Sequence, residues 1–163
     1  MGRDTSMISK LKYCALALAI ACLPMKAFAT GSLECVIEDK NLDFDFHALF
    51  TYTGKSPLFQ TGGNAALKVP ETYNTLKKFE IDASDLKQQW FEGKDLRLQF
   101  YRETSGDALP FAAVELTIVT ASPGGDDETV YDGLYRLEVT PAVKAGAESV
   151  PVKLEGKVSC SAG

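Results

Sequence analysis

Histidine is all but missing from this chain: His47 stands alone among 163 residues. Any Ser-His-Asp or Cys-His arrangement would have to recruit it, and a metal site built on several imidazoles is excluded. Also missing are a Gly-x-Ser-x-Gly nucleophile elbow, a Walker-type phosphate loop and a dinucleotide fingerprint. The sequence therefore implies no cofactor, and the enzyme classes that need these motifs fall away.

Basic residues are in the minority, 17 against 22 acidic ones for a formal charge of −5. Such a surface repels phosphate backbones and anionic headgroups, which argues against nucleic acid and against an anionic membrane surface as partners. A basic protein or a cation is compatible with it.

Long apolar runs are absent as well. The uncharged stretch Tyr13–Leu23 has 11 residues, against about 20 needed to span a bilayer as a helix. Arg3, Lys10 and Lys12 precede it, and Pro24 and the small-x-small triplet Ala27-Phe28-Ala29 follow. That is the layout of an export signal over residues 1–29, cleaved after Ala29 and leaving no transmembrane anchor. Lipidation at Cys22 is the competing route, but it favours a branched aliphatic residue three places earlier, where Ala19 stands. Cleavage removes Arg3, Lys10, Lys12 and Lys26 but only Asp4, leaving 13 basic and 21 acidic residues and a formal charge of −8.

Cysteine is sparse. Cys14 and Cys22 leave with the signal, so Cys35 and Cys160 remain, one near each end of the mature chain. In an exported protein the simplest reading is a disulfide, here one that ties the first strand to the last. Closing so long a loop stabilises the fold by about 4 to 5 kcal/mol, mainly by restricting the unfolded state.

What is present is a two-residue rhythm. In Leu42–Thr53, Phe44, Phe46 and Phe50 alternate with Asp43, Asp45 and His47, which in an extended chain puts the rings on one face and the polar groups on the other. Similar strand-length runs occur at 33–38, 65–69, 76–81, 96–103, 114–119, 134–139 and 150–158. Turn signals separate them: Gly54-Lys55-Ser56-Pro57, Thr61-Gly62-Gly63-Asn64, Ser122 to Asp127, and the small-residue loop Pro141 to Ser149. One interval, Ala83–Gly93, reads as a helix, with Ser84 as cap, Asp85 in the first turn, Leu86 and Trp90 four apart and Gly93 at the end. The expected fold is all-β: one domain over residues 30–163, an antiparallel β-sandwich of jelly-roll or Greek-key type with one short helix.

Several residues are candidates for a site. Asp43, Asp45 and His47 share a face at the spacing of metal ligands, but Leu49 and Thr51 continue that face with no further ligand, so the expectation is a wet strand face and no metal. Asp39 to Asp43 imitates a calcium loop but has Phe44 where a Gly is needed and Phe50 where the closing Glu belongs. Gly124 to Glu128 is a second acidic turn, read as a solvated loop. Trp90 is expected to plug one end of the core together with Phe91; a sugar-stacking platform is the competing role. Ser56-Pro57-Leu58-Phe59 either folds over the core or offers Phe59 to a partner. Tyr101, Tyr131 and Tyr135 are candidates for an aromatic surface, and Arg97 and Arg102 for ion pairs.

The sequence thus points to an exported protein, periplasmic or secreted, that acts by non-catalytic binding to a protein or glycan of the bacterial envelope. An enzyme acting on envelope polysaccharide through paired carboxylates, or an inhibitor or immunity-type protein for a basic enzyme, is the alternative.

Overall fold

The structure is a computed structural model that describes residues 30–51, 57–106, 109–124, 129–143 and 147–163. The export signal at 1–29 with Cys22, the turn at 54–56, the acidic turn residues 125–128 and part of the loop at 144–146 lie outside the described residues. The elements are β1 (Thr30–Glu38), β2 (Leu42–Thr51), β3 (Phe59–Leu67), a 3-10 turn (Asn74–Leu76), β4 (Lys78–Ile81), β5 (Leu86–Glu92), β6 (Asp95–Glu103), β7 (Ala113–Ala121), β8 (Val130–Thr140) and β9 (Val152–Ala162).

The nine strands among the described residues belong to one antiparallel sheet, in the order β4-β3-β2-β1-β9-β8-β7-β6-β5. Two meanders, β1 to β4 and β5 to β9, are joined where β1 pairs with β9. Alternating the strand directions outward from that joint leaves β4 and β5, the two sheet edges, running the same way. The corner Asp82–Asp85 between them is therefore a bend in one path rather than a reversal. It also limits the shape. Ile81 and Leu86 are five residues apart, which an extended chain bridges over at most about 17 Å. Eight steps of about 4.8 Å would set the edges of a flat sheet about 38 Å apart. The sheet must curl, and right-handed strand twist supplies the curvature.

The curl buries one face of each long strand. Along β2, Leu42, Phe44, Phe46, Ala48 and Phe50 are buried while Asp45 and His47 are exposed. Phe44 and Phe46 meet Phe100 of β6 edge-to-face at centroid distances of 5.2 and 4.9 Å, so residues from opposite arms of the sheet share one core. Burying a ring such as Phe46 contributes about 2 to 3 kcal/mol. Among the described residues the largely apolar space left inside, beside Phe44, Phe100 and Leu116, is only about 20 Å³, close to the volume for one water. The curled interior is a packed core and not a ligand chamber. Cys35 and Cys160 face each other in the β1–β9 ladder and form the expected disulfide across 125 residues.

Three expectations need correction. The fold is all-β and antiparallel as expected, but the sheet is single, its connections are those of meanders and it curls like a half-barrel, not clearly a sandwich or jelly roll; alternation alone does not distinguish a curled sheet from a folded pair. The helix over 83–93 is instead a corner followed by β5, and among the described residues the 3-10 turn is the one helical element. Ser84 caps nothing there: its N–H donates to Asp82 Oδ1 at 2.6 Å, and the Asp82 N–H donates to Asp85 Oδ2 at 3.0 Å, so these residues build the bend. Thr61 to Asn64 is strand β3 rather than a turn. Gly63 serves close approach, since a Cβ there would lie 2.1 Å from the carbonyl oxygen of Asp45 on β2.

Candidate functional site

The segment Trp90-Phe91-Glu92-Gly93-Lys94-Asp95-Leu96-Arg97 closes as a hairpin on two residues. Gly93 adopts φ 57°, the left-handed conformation such turns demand. Counting outward from the turn pairs Glu92 with Asp95, Phe91 with Leu96 and Trp90 with Arg97. Leu96 is buried, and Phe91 packs against Phe50 and Tyr131 at ring distances of 5.0 and 5.4 Å. Trp90 and Arg97 therefore point to the outside, and Trp90 is 54% exposed.

The ladder extends that pair across the sheet. Arg97 faces Val119 of β7, Val119 faces Leu134 of β8, and Leu134 faces Lys157 of β9. Directly opposed residues on one face have Cβ atoms about 5 Å apart, so these five side chains make a continuous row about 19 Å long over four inter-strand steps. Val119 and Leu134 are 48% and 58% exposed, which makes an apolar stripe in the middle of the row. A parallel row carries Asp95, Ala121, Asp132 and Ser159, and on the other side run Gln88, Gln99, Thr117, Arg136 and Glu155. Two shallow open depressions, of about 450 and 680 Å³, lie over this face, the first between Asp95, Val119 and Leu134 and the second between Asp132, Leu134 and Lys157.

Charge on the face is mixed. Arg136 pairs with Glu155 at 3.1 Å, whereas no ion pair to Arg97 or Lys157 is present among the described residues. Gln99 donates to Glu115 at 2.7 Å, and Tyr101 hydrogen-bonds Glu103. That bond, together with burial and the nearby Glu103 and Glu115 charges, pushes the Tyr101 phenol up to about 12.

A second depression, about 520 Å³, opens at the corner beside Arg102, Lys87 and Ser105. Its charged groups are already engaged. Arg102 donates from Nε and Nη2 to the two carboxylate oxygens of Asp85 at 2.8 and 2.7 Å and lies 4.5 Å from the Phe79 ring, while Lys87 donates to the Ser84 carbonyl. Asp85 is only 4% exposed, so this is a structural ion pair holding the bend. Another polar cluster lies at the turn between β1 and β2. The Tyr135 hydroxyl donates to Asp39 Oδ2 at 2.5 Å, and the Asn41 and Leu42 N–H groups donate to Asp39 Oδ1. Burial alone would raise the Asp39 pKa, but these hydrogen bonds and Lys68 bring it below its ordinary value. Asp82 also lies low, through its hydrogen bonds from Ser84. Both carboxylates move away from what a general acid requires.

The sequence candidates are dispersed. Asp43 accepts from Lys68 at 2.6 Å and Asp45 from Asn64 at 3.2 Å, while the exposed His47 stands beside Gly62. Among the described residues no three His, Cys, Asp or Glu side chains converge. Leu58 folds into the core, and Phe59, half-buried, pairs with Leu49 at the other end of the strand order from Trp90. The aromatic-surface expectation fails for Tyr131 and Tyr135, which are 5% and 1% exposed because they sit on the inward positions of β8. Arg102 makes the anticipated ion pair, and among the described residues Arg97 makes none. Trp90 is not a core plug: the bend and hairpin give its place inside to Phe91.

What fold and face define together is a class: a curled antiparallel sheet with a filled interior and an exposed aromatic and aliphatic row on its outer wall. Compared with family models, with curated proteins and with solved structures, the chain matches none.

Proposed function

We propose that this is an exported, non-catalytic binding protein of the bacterial envelope that contacts its partner through the outer face of β5 to β9. The row from Trp90 to Leu134 carries the reading: the exposed apolar neighbours Val119 and Leu134, with the exposed Trp90 on the far side of Arg97, form one apolar and polar strip of the kind that marks a contact surface. Among the described residues the apolar space beside Phe44, Phe100 and Leu116 is about 20 Å³, too small for a ligand. A disulfide between β1 and β9 suits an oxidising compartment, in keeping with the signal expected over residues 1–29 and a periplasmic or secreted location. No helix among the described residues is long and apolar enough to cross a membrane.

The test is co-sedimentation of the purified protein with isolated cell envelope. Binding should saturate, and Leu134→Asp should abolish it while thermal unfolding stays close to that of the parent. Unsaturable association, or association untouched by Leu134→Asp, overturns the reading.

A further inference from the structure

The groups around Trp90 are more specific than an apolar contact requires. On its own strand the same face carries Gln88 and Glu92, and opposite stand Asp95, Arg97 and Gln99. All five are planar polar groups: two amides, a guanidinium and two carboxylates. Gln88, Asp95 and Arg97 each present a pair of hydrogen-bonding atoms side by side, the spacing that matches adjacent hydroxyls on a pyranose ring, while Gln99 donates to Glu115. A flat indole is a platform for the C–H face of such a ring, apolar on its face and polar at its rim.

Charge narrows the class. The chain as a whole is acidic, with a formal charge of −5, while the three rows of this face mix Arg97, Arg136 and Lys157 with Glu92, Asp95, Asp132 and Glu155. A polyanion would meet the four carboxylates of the face and the field of the chain; a polycation would meet the three cations. An uncharged polyol meets neither penalty and can use both kinds of group as hydrogen-bond partners. The row is about 19 Å long, room for several sugar rings across the strands, with Val119 and Leu134 beneath the later ones.

We infer that the outer row is a glycan-binding site for an uncharged polysaccharide chain, with one sugar stacked on Trp90 and its hydroxyls bound by Arg97 and Asp95. The inference rests on the binding role proposed above for the same face.

Trp90 is the only tryptophan of the chain, so intrinsic emission reports on the site itself. Titration with cellohexaose and, separately, chitohexaose should give a saturable blue shift with at least one of them. By calorimetry, Trp90→Ala should lose that binding, and Arg97→Ala should raise the half-saturating concentration about tenfold, the loss of one charge-assisted hydrogen bond. Trp90→Ala should leave the unfolding midpoint in place, since the ring is outside the core. A response to oligogalacturonate alone would overturn the uncharged class. An emission shift on concentrating the protein without sugar would assign the face to a second copy of the chain. No response to any oligosaccharide, with envelope co-sedimentation still abolished by Leu134→Asp, would overturn the glycan while leaving the binding role; loss of both would remove both.

Discussion

The two places where the meanders meet are built from different chemistry. At the β1–β9 joint, four residue pairs from Leu33 and Ala162 to Val36 and Ser159 form a backbone ladder. Ser32 and Gly163 exchange two more hydrogen bonds, and Cys35 and Cys160 add a covalent bond. At the β4–β5 joint the sheet order shows no ladder. The bend is held by the Asp85 carboxylate under Arg102, by the Tyr101 N–H donating to the Asp85 carbonyl, and by the Leu58 N–H donating to Gln89 across the seam. The first joint limits the unfolded chain and answers to redox potential; the second exists only in the native state and answers to charge.

Breaking the first joint should have the largest effect. Reduction, or Cys35→Ala with Cys160→Ala, should lower stability by about 4 to 5 kcal/mol, the loop entropy released to the unfolded chain. Urea unfolding with and without reductant measures it. A loss under about 1 kcal/mol would mean that the ladder and the core already fix this joint.

The second joint should yield less. Arg102→Leu leaves Asp85 charged and nearly buried without its partner. Removing one member of a fully buried pair costs about 3 to 5 kcal/mol; because the Arg102 side chain is 27% exposed, we expect about 2 to 3 kcal/mol. Asp85→Leu added to Arg102→Leu should restore most of that, and Arg102→Lys only part, because an ammonium cannot match both carboxylate oxygens. If the double variant is as unstable as the single one, the bend is shaped by the Asp85 hydrogen bond to the Asp82 N–H rather than by the ion pair.

The same contrast explains what could be read from the sequence. The first joint was legible because the signal expected over residues 1–29 leaves two cysteines, which have one simple pairing, and the rings of β2 because strict alternation reports burial directly. The second joint was hidden by a bulge. Leu86 pairs with Phe100 but Gln88 with Gln99, so Lys87 is an extra residue in β5. Leu86 and Phe91 then both face inward though five apart, a spacing with neither strand nor helix period, while Leu86 and Trp90 at four apart imitate a helix. A legible signal was nevertheless present. Taking Gly93-Lys94 as a two-residue turn gives Trp90 opposite Arg97 by counting alone. Val119 and Leu134 join the row only through ladders fixed by the whole sheet, and the Arg102–Asp85 pair spans 17 residues around a corner whose direction no local pattern reveals.

The smallest expected effect tests whether the surroundings of the first joint, where β8 meets the β1–β2 turn, are indifferent to pH, as a covalent joint alone would make them. Tyr135 is buried against the turn that connects β1 to β2, and burial with its hydrogen bond to the negative Asp39 pushes its phenol up to about 12 from 10. Between pH 10 and about 12 the unfolded chain has released this proton and the folded one has not, so rising pH favours unfolding. The stabilisation is complete below pH 10 and is lost as pH climbs toward 12. Asp39 acts in the opposite range: its lowered pKa adds stability above its unfolded value of 3.8, lost as acid protonates the folded carboxyl. Tyr135→Phe should cost about 1.5 kcal/mol at neutral pH, the hydrogen bond to a charged acceptor. It should also flatten the alkaline fall in urea midpoint and shrink the acid one. Tyr101, likewise raised to about 12, lies on β6 near the second joint, so Tyr101→Phe separates the two contributions. If Tyr101→Phe alone flattens the alkaline limb, the pH sensitivity belongs to the second joint, and the contrast between covalent and electrostatic halves becomes sharper than the Asp39 cluster implies.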